Sequence, residues 1–256
     1  MRKTLLIGLA AGIVFCIGCA RELNKITQTS TIDALLAGAY DGDMSCEELL
    51  KFGDFGIGTF DTLDGEMVIY DGMVYQIRAD GKVYRPGLKT KTPFATVCNF
   101  EPDMSFSMRS ADYHGVKSII DEKMPNENIF VAIEISGSFK YVKARSVPAQ
   151  QKPYPPLAEV AKNQPIFEMT DVEGTVIGFR SPGFVKGINV SGYHFHFLSG
   201  DKTKGGHVLD IELDEAVFKG DICNKFLLVL PEDDKLKDLD LSIDKSEELE
   251  KVEMGK

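Results

Sequence analysis

The chain has 256 residues, 43% of them hydrophobic and 27% charged, enough for one large or two small domains around a substantial core. Its formal net charge is −10 and its isoelectric point near 5.0, which argues against a nucleic-acid partner, since phosphate binding needs a surplus of Lys and Arg on one face. The run from Glu232 to the end mixes charges of both signs and reads as a solvated helix or end segment.

The first nineteen residues read as a targeting element: Arg2 and Lys3, an apolar run over residues 5–15, then Cys16-Ile17-Gly18-Cys19. The apolar run is too short to span a bilayer. Gly18 before Cys19 resembles a bacterial lipoprotein cleavage box, in which Cys19 becomes a lipidated terminus; an ordinary secretory signal or an uncleaved anchor is the competing reading. Residues 1–19 are thus expected to be a lipoprotein-type signal peptide. The chain would be exported and lipid-anchored to the cell envelope, on its periplasmic or surface side. Residues 20–31 are polar and read as a flexible spacer.

An N-terminal β-rich half is expected over 32–147. It opens on a helical pattern (Ile32, Leu35, Leu36, Ala39), followed by a second short helix capped by Ser45 with Glu48 three residues on. Asp64-Gly65, Asp71-Gly72 and Asp80-Gly81 then divide residues 55–84 into an antiparallel meander of short strands. Residues 92–100 read as a strand entered through Pro93, residues 108–123 as a short helix, and residues 130–135 and 138–147 as two more strands. In the last of these, Arg145 alternates onto the same face as Phe139 and Tyr141. An arginine on an apolar face needs an anionic partner, from protein or substrate.

Residues 148–156 hold four of the eleven prolines and read as a linker. The C-terminal half, 157–256, is expected to begin with a short helix, continue through strands at 166–169 and 174–180, and close with strands at 208–213 and 226–230. With no alternating β-α-β units, the fold class expected is α+β, built on antiparallel and mixed sheets. Cys46, Cys98 and Cys223 are odd in number and show no Cys-x-x-Cys spacing, so they read as buried thiols and not as a disulfide framework.

Between those strands lies Ser191-Gly192-Tyr193-His194-Phe195-His196-Phe197-Leu198, a Gly-rich turn, and then Gly205-Gly206-His207-Val208-Leu209-Asp210. His194 and His196 are two apart, so a strand presents both imidazoles on one side and Phe195 and Phe197 on the other. Antiparallel return through the turn would set His207 beside them. Three neutral imidazoles on one face suit a tetrahedral Zn²⁺ with an open position for water or substrate, although imidazole also accepts copper, nickel or iron.

Several segments together resemble one family, the bacterial α-acetolactate decarboxylases. They are Gly58-Thr59-Phe60 with Leu63-Asp64-Gly65-Glu66, Lys91-Thr92-Pro93-Phe94-Ala95, Arg145 with Pro148 and Pro153-Tyr154, and the histidine hairpin. The resemblance spans roughly residues 32–256. It implies conversion of 2-acetolactate to acetoin and CO₂, a Zn²⁺ on His194, His196 and His207, and a homodimer of chains with two similar halves. It also implies catalytic roles for Glu66, Arg145 and Glu253, and a substrate-binding position at Thr59. Glu247, Glu248 and Glu250 compete with Glu253 in register, and either Glu66 or Glu253 could return the proton. Two rival readings use the same hairpin: a zinc hydrolase whose open metal activates water, and a non-catalytic surface lipoprotein that binds metal.

Overall fold

The computed structural model describes residues 22–231, 236–253 and 255; the leader and Cys19 lie outside the described residues. The chain begins with β1 (Lys25–Thr29), α1 (Ile32–Leu36), β2 (Met44–Ser45), α2 (Cys46–Leu49), β3 (Phe55–Thr59), β4 (Glu66–Tyr70) and β5 (Met73–Ile77). It continues through β6 (Val83–Tyr84), β7 (Lys91–Thr92), β8 (Ala95–Cys98), β9 (Met104–Asp112), α3 (Tyr113–Lys123) and β10 (Phe130–Arg145). Then come α4 (Leu157–Ala161), β11 (Ile166–Ser181), β12 (Gly192–Ser199), β13 (Gly205–Cys223), β14 (Lys225–Val229) and α5 (Ser246–Glu253). Among the described residues no helix is long and apolar enough to cross a membrane.

The strands form a mixed seven-stranded sheet, β14-β1-β8-β3-β4-β5-β6, and a five-stranded antiparallel sheet, β10-β11-β12-β13-β9, in which β10 also pairs with β13. The α+β class with antiparallel and mixed sheets is therefore the one observed. The extra pairing closes β10, β11, β12 and β13 into a ring, and the ring closes through a short β12–β13 ladder at His196↔His207, Phe197↔Gly206 and Leu198↔Gly205. Inside the ring lies one apolar cluster containing Phe139, Val142, Ala144, Phe195 and Phe197. A second cluster, with Phe55, Ile57, Val68, Ile77, Ile177, Phe179 and Leu198, fills the space between the ring and the seven-stranded sheet. Side-chain alternation along β12 thus sends its phenylalanines into the ring and its histidines toward the other sheet.

The meander forms as the turn residues require. Asp71 and Gly72 both take positive φ (51° and 71°) in the two-residue link between β4 and β5, the conformation that favours Asp-Gly there. Gly178 on β11 faces Phe195, and a Cβ there would run into the carbonyl oxygen of His194. That close approach fixes how near the histidine strand lies to its neighbour.

Four sequence expectations need correction. Residues 20–31 are not all spacer, because residues 25–29 form β1, a strand flanked on both sides, parallel to β14 and antiparallel to β8. Its Thr27, Gln28 and Thr29 are buried, and the Gln28 amide N–H groups donate to the carbonyls of Ser30 and Ile188, whereas Thr27 Oγ1 and Gln28 Oε1 have no partner among the described residues; polar residue types concealed a buried strand. Helix α3 starts only at Tyr113, capped by the Asp112 carboxylate accepting from Gly115 N–H, and residues 104–112 are strand β9, paired with β13. Residues 130–147 are a single strand to Arg145, and 166–181 likewise, because long pairing across Gly137↔Gly174 bridges the apparent breaks. Finally, the proline-rich stretch 148–156 does not separate two sheets, since β9 and β10 before it pair with β11 and β13 after it.

Candidate active site

The histidines meet where the ring closes against the meander. His196 lies opposite His207 across β12 and β13, and His207 lies opposite Arg145 across β13 and β10, so register alone puts Arg145, His207 and His196 in one row. His194 follows by the two-residue period. One nitrogen from each of His194, His196 and His207 falls within a 4.8 Å cluster. All three rings are buried, His196 and His207 almost completely.

Hydrogen bonds fix the tautomers. His196 Nδ1 lies 2.8 Å from the carbonyl oxygen of Met67 on β4; a carbonyl only accepts, so Nδ1 carries the proton and Nε2 offers a lone pair. That Nε2 is buried with no hydrogen-bond partner. His207 Nε2 similarly faces the backbone oxygen of Glu253 at 3.3 Å, leaving Nδ1 as its lone pair, 3.2 Å from Nε2 of His194. Backbone carbonyls orienting imidazoles in this way are the usual support of metal-ligating histidines. Burial, and after it the Arg145 guanidinium, holds His194 down at about 3. His196 and His207 are also held well below the ordinary histidine value, by burial first. Neutral imidazole is the form a metal requires, so the donor set fits a divalent ion.

Around this cluster stand the other predicted residues. Arg145 Nη1 donates to Glu66 Oε1 at 3.0 Å, with both side chains buried. Its burial has a different cause from the one its alternation suggested. Irregular pairing between Phe139 and Tyr141 shifts the strand register, so that Val142 and Ala144 join Phe139 inside the ring and Arg145 points out of it. The anionic partner it needed is Glu66, whose Oε2 also lies 3.5 Å from His196 Nε2. Burial pushes Glu66 up to about 7, against the opposing pull of Arg145. Thr59 lies opposite Glu66 in the β3–β4 hairpin, and its hydroxyl donates to Gly65 O at 2.7 Å. It lines the same small cavity of about 40 Å³ as Glu66, Arg145, Glu253 and the three histidines.

Glu253 arrives from the far end of the chain. Helix α5 docks through Leu249 and the buried Val252 against a cluster that includes Ile32 and Leu36 of α1 and Leu157 and Val160 of α4. This puts Glu253 Oε2 3.7 Å from His207 Nε2 and 3.9 Å from His194 Nε2. Burial lifts this carboxyl to about 7, while Arg145 again opposes. Among the tail glutamates, Glu253 is the one that reaches the histidines. A wider cavity of about 530 Å³ shares His207 and Glu253 with the smaller one and is lined by Tyr113, Asn189 and Tyr193. Met67, whose carbonyl orients His196, escaped the sequence reading, because a backbone acceptor leaves no mark in residue type.

Residues 26–243 match the family model for alpha-acetolactate decarboxylase. The chain belongs to the alpha-acetolactate decarboxylase family. It is 48% identical to the alpha-acetolactate decarboxylase of Methanosarcina mazei over 90% of this chain and 80% of that protein. With that of Methylococcus capsulatus it shares 43% identity over 91% and 90%. The crystal structure of alpha-acetolactate decarboxylase from Bacillus subtilis strain 168 superposes with a TM-score of 0.88, at 37% identity, covering 91% of this chain and 100% of that one. Membership in this family makes the chain a carboxy-lyase. The matched span includes Thr59, Glu66, Arg145 and the three histidines and stops short of Glu253.

Proposed function

We propose that this chain decarboxylates 2-acetolactate to acetoin and CO₂ with a divalent metal, Zn²⁺ by preference, on His194, His196 and His207. The observation that carries the metal is the buried, partnerless Nε2 of His196, held as a lone pair by the Met67 carbonyl and clustered with two further imidazole nitrogens. A divalent ion there supplies Lewis-acid stabilisation of the oxyanion charge that develops as CO₂ leaves.

The protein's own residues supply the rest. The Arg145 guanidinium, buried and fixed by Glu66, offers its remaining N–H groups to the substrate carboxylate. Its Nε has no protein partner, so a donor is held ready for an anion. After CO₂ departs, the enolate carbon must gain a proton. Glu66 is tied directly to the Arg145 guanidinium, which favours its ionised form, whereas the near contacts of Glu253 are the imidazoles of His194 and His207, which burial keeps neutral. Glu253 is therefore the proton donor, and Glu66 the anchor of the clamp. Apolar Leu35, Leu63, Phe94 and Leu157 line the cavity and limit water at the reacting carbon.

The test is turnover of racemic 2-acetolactate by purified protein, following CO₂ and acetoin with and without a chelator. Chelator-sensitive acetoin formation is the expected result. A protein that forms no acetoin but cleaves esters in a metal-dependent way would be a hydrolase, and one that binds zinc with no turnover a metal-binding protein. Replacing His196→Ala should remove metal and activity together, and full zinc stoichiometry in that variant would refute the ligand set.

The remaining sequence expectations belong to the same proposal. Residues 1–19 are a lipoprotein-type signal, cut before Cys19 so that Cys19 becomes the lipidated terminus, and the chain works as a homodimer at the cell envelope. Radiolabelled palmitate incorporation that vanishes in Cys19→Ser, and a light-scattering mass of twice the monomer, are the expected results.

A further inference from the structure

Cys98 and Cys223 come from strands of different sheets. Cys98 ends β8 in the seven-stranded sheet, and Cys223 ends β13 in the five-stranded one. Both lie in the cluster that fills the space between the sheets, 0% and 1% exposed. Their sulfurs and a carboxylate oxygen of Asp221 all lie within 4.8 Å of one another, and Cys223 Sγ donates to the backbone carbonyl of Asp221 at 3.9 Å. Cys46 sits in a separate cluster with Leu49, Phe60 and Met67. An odd cysteine count thus resolves into one facing pair and one bystander.

We propose that Cys98 and Cys223 form a disulfide in an oxidising environment, stapling the two sheets whose gap holds the histidine site. The bond forms by exchange: the thiolate of one cysteine attacks a sulfur of a disulfide oxidant, and the second cysteine displaces the mixed disulfide. Two thiols thereby lose two protons and two electrons as the Sγ–Sγ bond forms, and the oxidant leaves as two thiols. Burial, and then the facing Cys223, push the Cys98 thiol well above the ordinary range in the folded protein, so its thiolate is scarce there. Exchange therefore belongs to folding, before the sheets close, and the finished bond is shielded from reductant by the same core. A link from residue 98 to residue 223 closes a very long loop, which restricts the unfolded chain far more than the native one. An exported protein meets the oxidants this needs.

Full-length protein, produced with its own leader and purified without reductant, is denatured in N-ethylmaleimide and digested unreduced. The expected product is a linked peptide pair carrying Cys98 and Cys223, about 2 Da lighter than the two free peptides together, with Cys46 alkylated. Reduction by a phosphine during unfolding, followed by refolding with the reductant present, should lower the melting temperature by several degrees at identical composition. The Cys98→Ala/Cys223→Ala variant should melt at one temperature in both conditions. Recovery of both residues as alkylated thiols, even after refolding with oxidised glutathione, would overturn the proposal. So would a metal adduct, lost with chelator, that survives His196→Ala and disappears in the double cysteine variant.

Discussion

The two buried carboxyls of the site differ in their nearest contact, and that difference is measurable. Glu66 is bound to the Arg145 guanidinium at 3.0 Å, so Glu66→Gln leaves a buried cation uncompensated and should cost roughly 3–5 kcal/mol of stability besides activity. Glu253 makes no such pair, so Glu253→Gln should melt like the parent yet lose roughly 10²–10⁴-fold in turnover as the missing proton donor. Metal content, measured in both variants, should stay at parent level. If Glu253→Gln keeps more than a tenth of the activity, the donor is not Glu253. Arg145→Lys retains charge but not the fork, and should lower kcat with metal retained. The histidines and Arg145 could be picked out from sequence because their type clashes with their neighbourhood: imidazoles on alternate strand positions, a guanidinium in an apolar stretch. Glu66 and Glu253 had no such mark and were legible only through the family resemblance, one looking like a hairpin corner and the other like a solvated tail.

At the level of elements, local chemistry announced the short pieces and missed the long ones. The Ser45 capping box and the Asp-Gly turns were visible because each is satisfied within a few residues. Strand β1 and the full lengths of β10, β11 and β13 depend on partners far away in the chain, and no local pattern encodes a partner. Helix α5 is intermediate: Leu249 and Val252 have helical i, i+3 spacing, but a sequence of alternating charges hides it. Those two side chains are what hold Glu253 over the histidines. Val252 is 2% exposed, and Val252→Asp would bury a carboxylate with no partner, so α5 should undock instead. Turnover should then fall as far as in Glu253→Gln, while the two sheets, which α5 does not join, keep their cooperative melt. Activity near the parent level in a variant whose tail is proteolytically clipped would show that Glu253 does not act from this helix.

For the whole molecule, the site exists only because two sheets face each other: one supplies Glu66 and the Met67 carbonyl, the other the histidines and Arg145. What keeps the first sheet whole is β1, which joins β8 to β14 and so ties the strand that follows Cys223 back to the N-terminal meander. Removing it would expose two unpaired strand edges, on β8 and β14, the kind of surface that recruits other chains, and would strip cover from Phe55, Ile57 and Cys98 in the inter-sheet cluster. A chain beginning at residue 22 should therefore fold, bind metal and turn over like one beginning at residue 20. A chain beginning at residue 30 should aggregate or elute in the void volume on gel filtration, although every predicted catalytic residue is still present. The contrast separates an anchor spacer, which tolerates deletion, from a structural strand, which does not. A soluble, cooperatively melting protein that starts at residue 30 would mean that the two sheets hold together through the ring and the meander alone.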